Sequence, residues 1–583
     1  ASMFSQFKNF LCPSCFVIIL SLQVSVPAAE TATTIFKNGK VITLDSQSRI
    51  VEAIAMRGGK ILAVGTNSEV MQFKGDLTKV VSLNGKTVIP GLIESHVHAL
   101  RAARGELMQP HQELNSVGEV QDWIRAKVKE IPKGRWISVP RTDITRLKER
   151  RHPTPAELDA ACTTHPVHLN AARKDVLNTM GFELLGIRNE KDKLAGARII
   201  FDAKGKPLMM AGGGGAIRKL IPRRSVSPEA TRAALKKLHG IYNSVGITSI
   251  LERGSGVSEY REYELLKENK ELTVRMTMTI RQQVRSAKAV EEFTEKLGLV
   301  TGDGDDWVRV GPLKISVDGG IHWGNTRLSE PYGEKRRQFY VLEDANYQGD
   351  LFYSRELMET VFEAGQKLGW QMCCHATGDG SVNEILTALE NVNQRLPIKG
   401  RRFCITHAYF PSQESVKRSK ALGVCYDTQT FLFYRDAEAI NQVYGVNWVD
   451  RFMGLKTFVD GGVPVAINSD HMNGFDPNRS MNAFNPFLAL YIAVSRRDIE
   501  GNVFGAHQKL SREQALRCMT IDAAYISFEE KVKGTLEPGK LADLVVLDRD
   551  YLTCPENEIR KIRPLLTVVD GQVVFEAAKS SDK

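Results

Sequence analysis

The sequence predicts an α/β protein: a TIM-like (β/α)8 barrel, a composite β-sandwich formed by both termini, and an insertion after the first barrel strand. Three observations carry this prediction. Both ends of the chain alternate apolar and polar residues around tight-turn dipeptides; the long stretch between them alternates strand-like with helical runs; and five of its strand-like runs end in histidine, lysine or aspartate. Alternating βα units close into a barrel whose strand C-termini converge on one site, so side chains remote in sequence would meet there.

Residues 1–29 read as a signal peptide behind a cloning remnant, since Ala1 and Ser2 precede Met3. Lys8 supplies the charged region, FVIILSLQVSV the apolar core, and VPAAE the small residues for cleavage after Ala28 or Ala29. The apolar run is short and interrupted for a spanning helix. The expectation is export to a periplasm or the cell exterior, with no stable membrane insertion after cleavage. An uncleaved anchor is the alternative, and Cys15 lies on the wrong side of the apolar core for a lipoprotein.

Residues 30–88 are read as the first part of the sandwich, with Asn38-Gly39 and Gly58-Gly59 as hairpin turns. Residues 531–583 are the second part, where GTLEPGKLADLVVLDRD (534–550) and TVVDGQVVFEA (567–577) surround the Asp570-Gly571 turn. Residues 89–530 then hold the barrel. From His98 to Lys314 the chain runs 216 residues, far more than three βα units need at about 30 residues each in a ~250-residue barrel. An insertion is therefore placed at about 101–245. It contains AGGGGAI (211–217), which lacks the Lys-Ser/Thr of a phosphate loop and reads as a flexible loop or lid. Of the runs 166–172, 247–251 and 274–280, one must lie outside the barrel.

Composition narrows the function. A chain of 583 residues with 42% hydrophobic and 25% charged residues has room for more than one folded unit and an enzyme-sized core. The formal net charge is +10, but Lys and Arg are dispersed among Asp and Glu, which argues against a nucleic-acid partner. The basic runs RLKERRH (146–152) and EKRRQ (334–338) read as solvated loops. Seven cysteines remain after Cys12 and Cys15 are set aside, without disulfide spacing, and the adjacent Cys373 and Cys374 read as facing opposite sides of a packed strand.

The chemistry sits at the strand ends. TVIPGLIESHVH ends in His96 and His98, GPLKISVDGG holds Lys314, QMCCHATGDG holds His375, FCITHAYF holds His407, and VPVAINSDH holds Asp470. Histidines at i and i+2 on a strand share a face, about 6 to 7 Å apart, and both can reach one cation. Lysine is a poor neighbour for cations unless neutral, and a neutral amine can take up carbon dioxide to become an anionic carbamate. The alternative for Lys314 is an ion pair with Asp318.

The order HxH, Lys, His, His, Asp, between IPGLIESHVH and GTLEPGKLADLVVLD, resembles the amidohydrolase superfamily. DGG before TRLSEPYG, HATGDG and NSDHMNG resemble the branch typified by N-substituted formamide deformylase and the exoenzyme regulatory protein of pectinase production. The resemblance spans about residues 34–577. It implies two divalent metal ions, most suitably zinc, with His96, His98 and Asp470 on one, His375 and His407 on the other, and Lys314 bridging as its carbamate. It implies a small-molecule substrate with a C–N amide-type bond, cleaved by metal-activated hydroxide with Asp470 as general base, and Lys314 and His407 also catalytic. Glu94 and Asn468 stand where members often have Asp and Gly. Where the branch has Asp-Gly-His ahead of Asn178, this chain has Ala172-Arg173, so Arg173 is read as replacing a substrate-facing histidine. His322, Trp323 and His471 complete the expected substrate contacts. A regulatory or binding protein on the same fold, or a lactone or phosphoester hydrolase on the same site, is the alternative, and a homo-oligomer stays open.

Overall fold

The computed structural model describes residues 30–171, 174–212, 214–221 and 225–578. The expected signal peptide lies outside the described residues.

Eight parallel strands form the central sheet in chain order. They are β1 Leu92–Val97, β2 Ile247–Ser255, β3 Arg275–Arg281, β4 Val308–Ser316, β5 Met372–Ala376, β6 Cys404–His407, β7 Cys425–Gln429 and β8 Val465–Asn468. A parallel bridge between Val97 and His471 brings the last strand back to the first, and the His98 N–H donates to the His471 carbonyl at 2.7 Å. Helices cover the outside and side chains fill the inside, which is why these strands are almost continuously buried and read as apolar runs. Period-two alternation sorts the cysteines. Cys373 lies in register with Cys404, and Cys404 with Cys425, in an inner cluster with Ile93 and Leu251, whereas Cys374 packs into the main core outside. All seven cysteines of the described residues are free thiols.

The run 166–172 is the one outside the barrel: Val167–Asn170 joins a five-stranded sheet of its own. That sheet also contains Ile137–Val139, Lys174–Leu177, Arg198–Phe201 and Pro207–Ala211, all between β1 and β2. The glycine run expected as a loop is instead divided between the strand ending at Ala211 and the helix Gly214–Leu220, with Gly213 outside the described residues. The basic runs also differ from expectation. Arg146 is nearly buried against Asp436 of the helix Thr430–Tyr444, Nη2 to Oδ2 3.1 Å, and Arg336 is buried within the helix Gly333–Tyr340. Burial with a paired carboxylate or aromatic face explains basic residues that composition alone assigns to water.

Both termini build the remaining two sheets. One orders Lys60–Gly65, Ala53–Arg57, Thr34–Lys37 and Lys79–Ser82; the other orders Gln572–Glu576, Pro564–Val569, Leu544–Leu547, Thr87–Pro90, Lys40–Ile42 and Ile50–Val51. Phe36, Ile54, Val88, Leu544 and Val568 share the core between them. Only Gly91 separates the strand Thr87–Pro90 from β1, and a Cβ there would meet Thr248 Oγ1 at 2.2 Å, so the crossing needs glycine.

Candidate metal centre

β1 delivers His96 and His98 to one face, and β8 delivers Asp470 opposite them. Asp470 Oδ1 lies 3.5 Å from His96 Nε2 and 3.3 Å from His98 Nε2. One donor atom from each of the three lies within 4.8 Å of the other two. Asp470 has φ +53° and His407 has φ +81°, a left-handed backbone uncommon for residues with a Cβ and concentrated at functional sites. His407 and His375 stand on neighbouring strands with ring centroids 4.3 Å apart, and His407 lies 5.1 Å from His96 by the same measure. Lys314 Nζ donates to the Arg253 carbonyl at 3.0 Å and lies 3.3 Å from His96 Nε2. The ion pair of Lys314 with Asp318, the alternative from sequence, does not form: Asp318 accepts from the Thr377 and Gly378 N–H groups and from Ser381 Oγ.

Three of the four imidazoles have one nitrogen committed to a hydrogen-bond partner, leaving the other for the site. His96 Nδ1 is 3.2 Å from Asp427 Oδ1, His407 Nδ1 is 2.9 Å from Gln429 Oε1, and His375 Nε2 is 2.7 Å from the Gly319 carbonyl. A carbonyl acceptor fixes the tautomer, leaving a lone pair on His407 Nε2 and on His375 Nδ1. Burial, with Lys314 and neighbouring imidazoles adding to it, pulls His96 and His375 well below the ordinary histidine value, and burial lowers His98 and His407 too. Burial thus favours the neutral form of all four rings. Burial also lowers the Lys314 ammonium.

This donor set fits a divalent cation. Asp470 Oδ1 is buried and has no hydrogen-bond partner among the described residues, where buried polar atoms almost always have one. Neutral imidazole and carboxylate are the ligands that zinc and similar ions take.

Sequence reasoning missed the layer beneath. Asn468 Nδ2 donates to Asp427 Oδ1 at 3.1 Å, and Gln429 Nε2 donates to Asn468 Oδ1 at 2.8 Å. Asp427 thus supports His96, Gln429 supports His407, and Asn468 joins them. Arg253 Nη2 closes the network on Asp427 Oδ2 at 2.8 Å, both side chains fully buried. The available signal was CYDTQ, where Asp427 and Gln429 alternate with Cys425 on one face of a strand. Glu94 accepts from the Ser469 N–H at 3.0 Å, which ties β1 to the end of β8, and burial pushes its carboxyl up to about 8.

A cavity of about 430 Å³ opens above the six site residues. His322 and Trp323, expected as substrate contacts, line it, with His322 Nε2 2.9 Å from Asp436 Oδ2. His471 is a correction: it is fully buried behind the site, Nδ1 2.8 Å from Tyr242 Oη and Nε2 2.7 Å from the Gly474 carbonyl. The bridge that closes the barrel at Val97 holds it there. Arg173 lies outside the described residues.

Comparison with known proteins follows the same lines. The sequence profile of the amidohydrolase family matches residues 79–575. An N-substituted formamide deformylase of Arthrobacter pascens is 26% identical over 567 residues, 93% of this chain and 98% of its own. Uncharacterised metal-dependent hydrolases of Pyrococcus furiosus and Pyrococcus horikoshii share the fold, each at 22% identity, with TM-scores of 0.64 and 0.65 over 89% and 90% of this chain and 100% and 99% of theirs.

Proposed function

The chain belongs to the amidohydrolase family, and from that premise we propose that it hydrolyses an amide-type carbon–nitrogen bond of a small molecule at a metal centre. The observation that carries this reading is the unpartnered, buried Asp470 Oδ1 held between two neutral imidazole nitrogens. His96, His98 and Asp470 would hold one divalent ion, zinc by preference, and His375 and His407 a second, with the Lys314 carbamate between them. Burial of Lys314 disfavours its ammonium, which moves it toward the neutral amine that carbamate formation requires. When bound, the ions supply Lewis acidity, which polarises the scissile carbonyl and makes water acidic enough to attack near neutral pH.

The chain's own residues do the rest. Asp470 accepts the proton of the attacking water and returns it to the leaving nitrogen, which is general-base followed by general-acid work by one carboxyl. Asp427 and Gln429 hold the tautomers of His96 and His407. A cavity of about 430 Å³ suits a small molecule rather than a polymer. Export belongs to the same proposal, supported by Lys8 and the apolar run after it; mature protein recovered from periplasm or medium should begin just after Ala28 or Ala29.

The test is elemental analysis of protein purified without chelator, alongside a screen of N-formyl and N-acyl amines and then cyclic imides. Close to two ions per chain and turnover are expected. Lys314→Ala should lower occupancy and activity together, with partial recovery on adding short carboxylates. Metal-free protein that binds these amides without turning them over would favour the binding-protein reading.

A further inference from the structure

His96 and His98 each lie between two carboxylates. For His96 the one away from the site, Asp427, is at hydrogen-bond distance, 3.2 Å from Nδ1. For His98 it is Glu252 of β2, whose Oε1 lies 4.0 Å from Nδ1, while Asp470 Oδ1 lies 3.3 Å from Nε2 on the site side. A proton shared between Nε2 and Asp470 would occupy the lone pair that a cation needs. The location of one proton therefore decides whether His98 can serve as a ligand.

Glu252 is held in one orientation. It is 1% exposed, and its Oε2 accepts from the Ala99 N–H at 2.8 Å, the Leu100 N–H at 3.4 Å and Tyr263 Oη at 3.2 Å. Those two amides open the helix Ala99–Met108, whose N-cap residue is His98 itself, with no side-chain capping bond. A cap residue ordinarily satisfies such amides with its own side chain. Here the neighbouring strand satisfies them, which releases the His98 ring for the centre. Close packing adds a second constraint. A Cβ on Gly254 would lie 2.8 Å from His98 Cε1 and 3.2 Å from Nδ1, so this edge of the ring rests on the β2 backbone two residues from Glu252.

We propose that Glu252 is a positioning residue of the metal centre: while Oε2 caps the helix, Oε1 keeps the His98 proton on Nδ1, away from Asp470, so that Nε2 keeps its lone pair for a cation. This inference rests on the metal-hydrolase reading and deepens it by a residue that touches neither cation nor substrate.

Glu252→Gln separates this role from capping alone. The side chain keeps its shape, and the donors of Ala99, Leu100 and Tyr263 hold the amide oxygen where Oε2 was, which turns the NH2 group toward His98. Nδ1 then faces a donor, and the proton moves to Nε2. Zinc affinity, measured by competition with a chelating dye, should fall about 10- to 100-fold, the usual loss for an outer partner of a ligating histidine. The urea midpoint of the metal-free protein should stay near that of the parent. Two-bond proton–nitrogen spectra of metal-free protein with labelled histidine should place the His98 proton on Nδ1 in the parent and on Nε2 in Glu252→Gln, with His98→Asn identifying the signal. Equal zinc affinity in parent and variant overturns the proposal. So does a proton on Nε2 in the parent, a result that stands even if the variant does not fold. A parent that takes up no divalent ion would instead sink the metal-hydrolase reading, and the tautomer, read without metal, still decides the role of Glu252.

Discussion

Asp470 combines three properties that single residues seldom share: burial, an unpartnered oxygen and a left-handed backbone. The proposed double role as ligand and proton carrier makes a sharp prediction. Asp470→Asn should keep most of the metal, since four imidazoles and the proposed Lys314 carbamate would remain, yet lose ~10² to 10⁴ in kcat with a small change in KM, as removal of a general base does. Equal turnover by parent and variant on an amide identified by the screen would end the proton-carrier role. The six site residues were legible in the sequence because each ends an apolar run, where a polar side chain has no business unless something binds it. Asp427, Gln429 and Arg253 were not. They sit inside strands and are satisfied by one another, so nothing in the local pattern separates them from ordinary buried polar groups. His471 misled for the opposite reason: it follows Asp470 directly, but the left-handed backbone at Asp470 and the bridge to Val97 turn it to the far side, against Tyr242.

At the scale of elements, the barrel strands were legible through their apolar runs, and the terminal hairpins at Gly58-Gly59 and Asp570-Gly571 through alternation and Gly-containing turns. Asn38-Gly39, expected as a hairpin turn, instead carries the chain from one sandwich sheet to the other, because Thr34–Lys37 and Lys40–Ile42 pair with different partners. The insertion was legible only as excess length. Its strand Val167–Asn170 has the same apolar character as a barrel strand, and only three-dimensional pairing assigns it to a separate sheet. An ion pair helps attach this insertion to the barrel, beside apolar contact through Ile144 and Val341. Arg146 lies 3.1 Å from Asp436, and Thr145 Oγ1 donates to the same carboxylate at 2.7 Å. Burial alone would raise the Asp436 carboxyl, but Arg146 and His322 outweigh it and hold it well below the usual carboxylate range. A carboxylate depressed in the folded state contributes stability that is complete above the unfolded value of about 4 and is lost as pH falls toward the folded value. Asp436→Asn should thus cost up to ~3–5 kcal/mol near neutrality by leaving buried Arg146 with only the more distant Asp143, 4.0 Å away, as counter-charge. It should also flatten the acid limb of stability against pH. Urea midpoints measured from pH 7 down to pH 3 check both; parallel curves for parent and variant would mean that Asp436 does not carry the acid sensitivity.

Over the whole molecule, the sandwich and the barrel cannot be separated by a simple cut. The sandwich sheet pairs Leu544–Leu547 with Thr87–Pro90, one strand from each end of the chain, and the second of these continues through Gly91 into β1. Side chains reinforce the backbone link. Arg275 of β3 is 1% exposed, reaches Asp543 at 2.7 Å and Asp570 at 3.2 Å, and stacks 4.6 Å from the centroid of the Trp307 ring. The Asp543 contact dominates, because Asp570 is 42% exposed and solvent screens it. Loss of sandwich pairing would therefore strip β3 of its counter-charge and β1 of its neighbouring strand, so the two parts should unfold together. All six tryptophans lie between Trp123 and Trp448, so their fluorescence reports the barrel and insertion, with Trp307 also sensing the junction through Arg275. Hydrogen exchange at Leu544–Leu547 reports the sandwich. In urea both signals should change over the same range, and Arg275→Met should move both to lower urea together, by ~3–5 kcal/mol for breaking a buried pair from one side. Exchange of the terminal strands well before the fluorescence change, in parent or variant, would show that the sandwich opens alone and that β1 and β3 stand without it.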